Sequence, residues 1–518
     1  MSTMRNSFFS FFVLLVSAGA LFAQKVDVQE LHLDNGMTFL MAPRKGDPNV
    51  AAGWVARVGS VNERPGITGI SHLFEHMMFK GTRTIGTTNI EEDLKILNEM
   101  DRVHEQIRQE EQALVERYRR GEIDDPYNPK YRTPRHSQLI EQFEALTKRE
   151  RQYTIKNEFD RIYRNAGGSG MNAGTDYDYT VYFINVPSNK LELWFWMESD
   201  RLANPVFRDF YTEREVVHEE RRLRTDSTPT GRFQEQFDSL FWESSPYAWP
   251  VVGWPSDLES FTKEDALAYF QTYYAPNNLT ACLVGDFDPP KAAELARAYF
   301  GRLKRGTRAP EPVRTLEMKQ LAEQRMIAYA ETTPQVRIRY HTVPDNHADE
   351  PALIMLAHLL SGRTGRLYKS LVLEQQIATN ASASSNGLKY EGYFELTGVA
   401  RQGKDPLEVE KGIYKQIENL QLTPPPEREL QKVKNQQAAA DFRRLQSNFG
   451  LMLQLLLHEA QGSWRTINTY PEKLQAVTAA DIQRVAKKYF SPENRSVAIY
   501  YTKTPARTTE ARNTGGGQ

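Results

Sequence analysis

His72 and His76 stand four residues apart, with Glu75 immediately before the second, in the run His72-Leu73-Phe74-Glu75-His76. On a helix this spacing projects both imidazoles from one face, one turn apart, where they can grip a single metal ion. Two neutral imidazoles and a carboxylate hold zinc with one position open for water, and the ion lowers the pKa of that water toward neutrality. Glu75 lies on the same side and can take the proton, which is the equipment needed to hydrolyse an amide. The order His-x-x-Glu-His inverts the commoner zinc-binding helix motif. The plainer alternative makes both histidines surface residues and pairs Glu75 with Lys80. Against it, Ile70, Leu73, Phe74, Met77, Met78 and Phe79 make nearly the whole circumference apolar, as in a buried helix. Three polar side chains there are costly without a partner such as a metal. Gly81 offers a helix stop.

Two histidines need a third ligand, and the helix-like stretch 210–222 is rich in candidates. At about 100° per residue, Glu213, Val216 and Glu220 share an inward stripe, whereas Glu215, Glu219 and Arg222 share the opposite one. Glu220 is assigned to the metal, and Glu213 to orienting a histidine or balancing charge from the same face. His218, about 160° round the helix from Glu220, is set aside. Without the histidine pair, a salt-bridged surface helix would be the better reading of this segment.

The elements that must position these residues come from a chain of 518 residues, long enough for two or more domains. With 40% hydrophobic and 25% charged residues and a net charge of −1, it has the balance of an ordinary globular protein and no field to attract nucleic acid. Arg5 precedes an apolar run from Phe8 to Phe22, and small residues lead to Ala23-Gln24, so residues 1–23 are expected to be a secretory signal peptide. Cleavage would leave a periplasmic or secreted protein with no stable membrane insertion; the competing reading is a retained anchor. Cys282, the single cysteine, sits in the apolar run 279–284 and is expected in a core.

An internal repeat relates the two ends of the chain. Thr262 and Thr478, Tyr274 and Phe490, Pro276 and Pro492, and Asn278 and Asn494 keep one offset, 478 − 262 = 216. Each copy reads as a capped helix, a Pro-Asn turn and a strand (279–286 and 496–502). The fold class is therefore α+β, with two homologous domains, each a mixed, mostly antiparallel sheet with helices packed on one face. The expected divisions are 24–300 for an N-terminal zinc-binding domain, 301–325 for a linker rich in Pro and charge, 326–503 for a non-catalytic C-terminal homologue, and 504–518 for a disordered tail. In the first half, strands are expected at 37–42, 51–58 and 180–186, with helices around His72, Leu191 and Glu213. Residues 91–164 are dominated by Glu, Arg, Lys and Gln and broken at Asp124–Pro129, and so predict a charged helical hairpin projecting from the domain.

The chain resembles the pitrilysin, insulin-degrading enzyme and mitochondrial processing peptidase family of inverted-motif zinc peptidases. The resemblance spans nearly all of the mature chain. It is carried by the run 69–82 around the two histidines, by Asn172-Ala173-x-Thr175, Asp178-x-Thr180-x-Tyr182, Pro246-Tyr247, Gly253 and Gly365-Arg366-Leu367-Tyr368. It implies one Zn2+ per chain on His72, His76 and Glu220, Glu75 as general base, Glu213 as a supporting carboxylate, and a small two-domain bacterial-type metalloendopeptidase acting on peptides or unfolded protein. Substrate would add as a strand to a sheet edge at Asn172 and Ala173.

Two departures stand out. His76 and Glu220 are 220 − 76 = 144 residues apart, about twice the family interval, which makes 91–164 an insertion. The family also often carries an Arg and a Tyr, seven residues apart after the Arg-Leu-Tyr segment, that hold substrate. Val372 and Thr379 occupy those places here, and neither can replace its counterpart. The partner implied is a second subunit, as a homodimer or a heterodimer, in which a related polypeptide supplies the pair. The alternative function is a non-catalytic assembly subunit; a purely structural zinc site fails on ligand type, since such sites are closed and cysteine-rich.

Overall fold

The structure, a computed structural model, describes residues 25–503; the signal peptide and tail expected from the sequence lie outside the described residues. The N-terminal half runs β1 (Gln29–His32), β2 (Thr38–Pro43), β3 (Asn49–Ala56), α1 (Ile70–Met77), α2 (Ile90–Arg119), α3 (Pro134–Glu150), α4 (Glu158–Asn165), β4 (Ser169–Thr175), β5 (Thr180–Pro187), α5 (Leu191–Ala203), α6 (Phe210–Arg221), α7 (Gly231–Phe241), α8 (Pro255–Ser260), α9 (Lys263–Tyr273), β6 (Leu279–Gly285) and α10 (Pro289–Tyr299). The C-terminal half runs β7 (Gln324–Ala330), β8 (Gln335–Thr342), α11 (Glu350–Leu360), β9 (Ala378–Gly387), β10 (Gly392–Ala400), α12 (Pro406–Leu422), α13 (Glu427–Gln446), α14 (Asn448–Gln461), α15 (Thr466–Ala476), α16 (Ala479–Tyr489) and β11 (Arg495–Thr502).

Each half builds one mixed sheet. The first has the order β1-β2-β6-β3-β5-β4 and the second β7-β11-β8-β10-β9. Only β2–β6 and β7–β11 are parallel, so the α+β class holds. The 216-residue repeat survives down to single hydrogen bonds. Thr262 with Asp265, and Thr478 with Asp481, close identical capping boxes on α9 and α16. After each helix, the amides of Asn278 and Asn494 donate to the carbonyls of Tyr273 and Tyr489, both at 2.8 Å, and so fix the turn into the following strand.

The helix-facing side of the first sheet buries Phe39, Trp54 and Tyr182 against Phe74, Trp194 and Phe195, and the second buries Ile338 and Leu396 against Leu356 and Ile413. The opposite faces depart from the expectation of helices on one face only. Leu40, Val55, Cys282 and Val284 are covered by Met452, Leu455 and Leu456 of α14, from the other half. Reciprocally, Ala328, Ala498 and Tyr500 of the second sheet are covered by Phe233, Phe237 and Leu240 of α7. Between the halves, residues 301–323 form neither helix nor strand but are not loose: the Glu317 carboxylate accepts the amides of Glu243, Ser244 and Ser245 at 2.9, 3.1 and 3.0 Å.

The insertion is a helical hairpin, α2 against α3, but it does not project. Ile96, Leu97, Met100, Val103 and Ile107 give α2 an apolar stripe that packs on Leu139, Leu146 and Val206. Asp93 accepts from Nε of Arg208 at 2.6 Å with both side chains wholly buried. Asp101 takes hydrogen bonds from Tyr211 and Lys263, and His104 stacks on Tyr211 at 3.8 Å. The hairpin therefore lies along α6, the helix that carries Glu220. No helix among the described residues is long and apolar enough to cross a membrane.

Candidate metal centre

The loop into α1 and the start of the helix are held by carboxyl groups from outside the helix. Glu63 accepts the amides of Gly69 and Ser71, both at 2.8 Å, and Asp257 accepts those of Gly66 and Thr68 at 3.0 and 3.1 Å. Burial pushes the Glu63 pKa up to about 8, so its part at the helix N-terminus is to supply hydrogen-bond acceptors for the free amides. Gly69, which precedes the helix, has φ of +91°, and a Cβ there would meet the Val252 carbonyl oxygen at 2.6 Å and Gly253 Cα at 2.9 Å. Ile70, Leu73, Phe74, Met77 and Met78 are buried, and the helix ends at Met77, before Gly81.

From α1 and α6 three side chains converge. Nε2 of His72 lies 3.6 Å from one Glu220 carboxylate oxygen and Nε2 of His76 lies 3.4 Å from the other. One ligand atom from each of the three falls within 4.8 Å of the others, and this is the one such group among the described residues. The donors fit zinc: two imidazole nitrogens and one carboxylate oxygen, with room for a further ligand. Burial, helped by His76 and Arg224, pushes the His72 pKa down to about 3, so His72 is neutral and ready to donate a lone pair. Its Nδ1 is buried without a hydrogen-bond partner among the described residues. His76 differs. Burial opposes its charging, but the Glu213 hydrogen bond and the charges of Glu213, Glu220 and Glu75 carry its pKa above the ordinary value.

The stripe on α6 runs through Phe210, Glu213, Arg214, Val217 and Arg221, which are buried, while Glu220 stands at its border. Val216, expected to face inward with Glu213 and Glu220, is instead exposed, because the buried stripe is centred on Val217. A ligand at the border of a buried face can be held firmly and still meet substrate. Glu213 is buried, with Oε2 3.3 Å from His76 Nδ1 and Oε1 on the Lys80 ammonium. Lys80 thus pairs with Glu213 and not with Glu75. Burial would raise the Glu213 pKa, but hydrogen bonds from His76 and Lys80 hold it below the ordinary carboxylate value. His218 sits half-buried, outside the cluster.

Glu75 Oε2 accepts from the Thr175 hydroxyl at 2.8 Å. Burial raises its pKa, against the Thr175 bond and the charge of His76. Thr175 closes β4, the edge strand of the first sheet, on which Asn172 is exposed and pairs with Phe183 while Ala173 pairs with Tyr182. Besides Lys80 on Glu213, two contacts have no signal in the sequence: Thr175 on Glu75, and Arg224, whose guanidinium reaches Glu220 from the π-helical turn 222–226. Thr175 stood within the Asn-Ala-x-Thr string, but nothing in the spacing named its target. In the second half, Val372 is buried in the π-helical turn Tyr368–Glu374 and Thr379 is exposed on β9, so neither presents a strong donor.

Comparison with known proteins bears on the fold and the family. The family model described as "Insulinase (Peptidase family M16)" matches residues 39–104, which contain α1, and "Peptidase M16 inactive domain" matches residues 260–437. The zinc protease PqqE of Helicobacter pylori is 25% identical over 94% of this chain and 96% of its own. The crystal structure of a protease from Helicobacter pylori has the same fold, with a TM-score of 0.75 over 92% of this chain and all of that one, at 23% identity. The periplasmic protease PqqL from Escherichia coli shares the fold at a TM-score of 0.66 and 16% identity, over 93% of this chain and 48% of that one. Matches to both family models, a relative named as a zinc protease along almost its whole length and two repeated sheets of one topology have a single common source: the chain belongs to the M16 peptidases, the insulinase and pitrilysin family.

Proposed function

We propose that the protein is a zinc-dependent endopeptidase that cleaves peptides or unfolded protein segments, with one zinc held by His72, His76 and Glu220. The observation that carries this reading is the meeting of those three donors from two helices, with Glu75 on the same helix turn as His76. Bound zinc would supply Lewis acidity to the scissile carbonyl and acidify the attacking water. Glu75 takes the proton of that water and passes it to the leaving amine. Glu213 engages Nδ1 of His76 and leaves Nε2 for the ligand cluster. Asn172 and Ala173, on the open edge of β4, hold the backbone of an extended substrate. The apolar run at 8–22 supports export to the periplasm or beyond, and a fold neighbour named as periplasmic is in keeping with it.

Glu75→Gln tests the reading. Cleavage of an unfolded fluorogenic substrate should fall by about 10²–10⁴-fold, while atomic spectroscopy still finds zinc at the wild-type ratio. Wild-type turnover in that variant, or in chelator-stripped protein, would end it.

One observation favours a second reading, a non-catalytic or partner-dependent subunit: Val372 and Thr379 stand where relatives often have Arg and Tyr. Here the donors come from a related polypeptide in a dimer. Zinc-loaded protein that is silent alone, and turns over when a homologue bearing that pair is added, would decide for it.

A further inference from the structure

The Thr175 hydroxyl donates to Glu75 Oε2 at 2.8 Å. Thr175 pairs with Thr180 at the start of β5, and the Thr180 hydroxyl is itself bound to the Val58 carbonyl at 2.9 Å. β4 is at the same time the outermost strand of its sheet, and its free edge carries Asn172 and Ala173. One short strand therefore ends on the base and offers its backbone to an incoming strand.

Resting on the peptidase reading above, we infer that Thr175 is a positioning residue: it ties the general base to the edge strand, so that a peptide pairing with β4 is registered against Glu75. A carboxylate free to rotate would present either oxygen at any height. With Oε2 engaged by Thr175, the other oxygen is left for the proton of water, at a distance set by the sheet. The competing explanation is that Thr175 only satisfies a half-buried carboxylate. The two differ in what they predict, since satisfaction alone affects folding, whereas positioning affects turnover. A displacement of about 1 Å in a reacting group can cost about 10²-fold in rate.

Thr175→Val keeps the branched shape suited to a strand and removes only the hydroxyl. Its kcat should fall by about 10–100-fold, with KM, zinc content and the thermal midpoint close to wild type. Thr175→Ser restores the donor and should recover turnover to within about threefold. In a Glu75→Gln background, adding Thr175→Val should slow nothing further, and the two proteins should bind a labelled uncleaved peptide equally in fluorescence anisotropy. A wild-type kcat in Thr175→Val, a loss carried wholly by KM, or a serine variant as slow as the valine one overturns the inference. If Glu75→Gln itself turns over normally, it is the peptidase reading that falls. If Glu75→Gln is silent and Thr175→Val is normal, only the positioning role does.

Discussion

Glu213 divides its carboxylate between a histidine and a lysine, and both contacts bear on the cluster of His72, His76 and Glu220. By accepting from Nδ1 of His76 it selects the tautomer whose Nε2 faces the ligand cluster, and the Lys80 ammonium balances its charge in a buried place. Glu213→Gln should keep the shape but weaken the orientation, lowering zinc affinity by about 10–100-fold in competition with a coloured chelator. Zinc held as tightly as in wild type would remove Glu213 from the site. Much of this was legible in the sequence, because the histidine spacing and the helical period depend only on local geometry. What was not legible came from side chains reaching between elements. Lys80, Thr175 and Arg224 find their carboxylates across distances the sequence does not encode, and Val216 was misplaced because a strict period ignores where the neighbouring helix packs.

At the scale of elements, the hairpin shows how a charged sequence can mislead. The apolar residues of α2 recur at helical spacing among many charges, a stripe that the charged composition hid. Asp93 and Arg208 set the docking, since Arg208 also donates to the carbonyls of Lys80, Thr82 and Ile85 and so fastens the loop that follows α1. Asp93→Ala leaves a buried guanidinium without its counter-charge and should cost about 3–5 kcal/mol in a urea unfolding curve. A loss below 1 kcal/mol, within the range of exposed pairs, would show that the guanidinium finds enough in the carbonyls alone. The strands at 37–42, 51–58 and 180–186 lie within one or two residues of β2, β3 and β5. Alternation and turn residues fix such elements locally, whereas the face on which an insertion lies is decided by tertiary contacts.

Over the whole molecule, the repeat has kept its frame and divided its chemistry. At the 216-residue offset Glu220 becomes Gln436, and Glu213 becomes Glu429, whose carboxylate accepts from Nε and Nη2 of Arg366 at 3.0 and 2.7 Å. An ion pair thus ties the second copy where the first gathers metal donors. The repeat was visible in four pairs of residues, but the exchange of helices was not, since α7 and α14 look like ordinary amphipathic segments. That exchange makes each half a chaperone for the other. A chain cut between Arg308 and Pro312 would yield two pieces, each with an oily sheet surface stripped of its lid. Expressed singly they should aggregate; expressed together they should elute as one species with the zinc site restored. Fragments that are soluble and monomeric on their own would mean that the borrowed helices are dispensable.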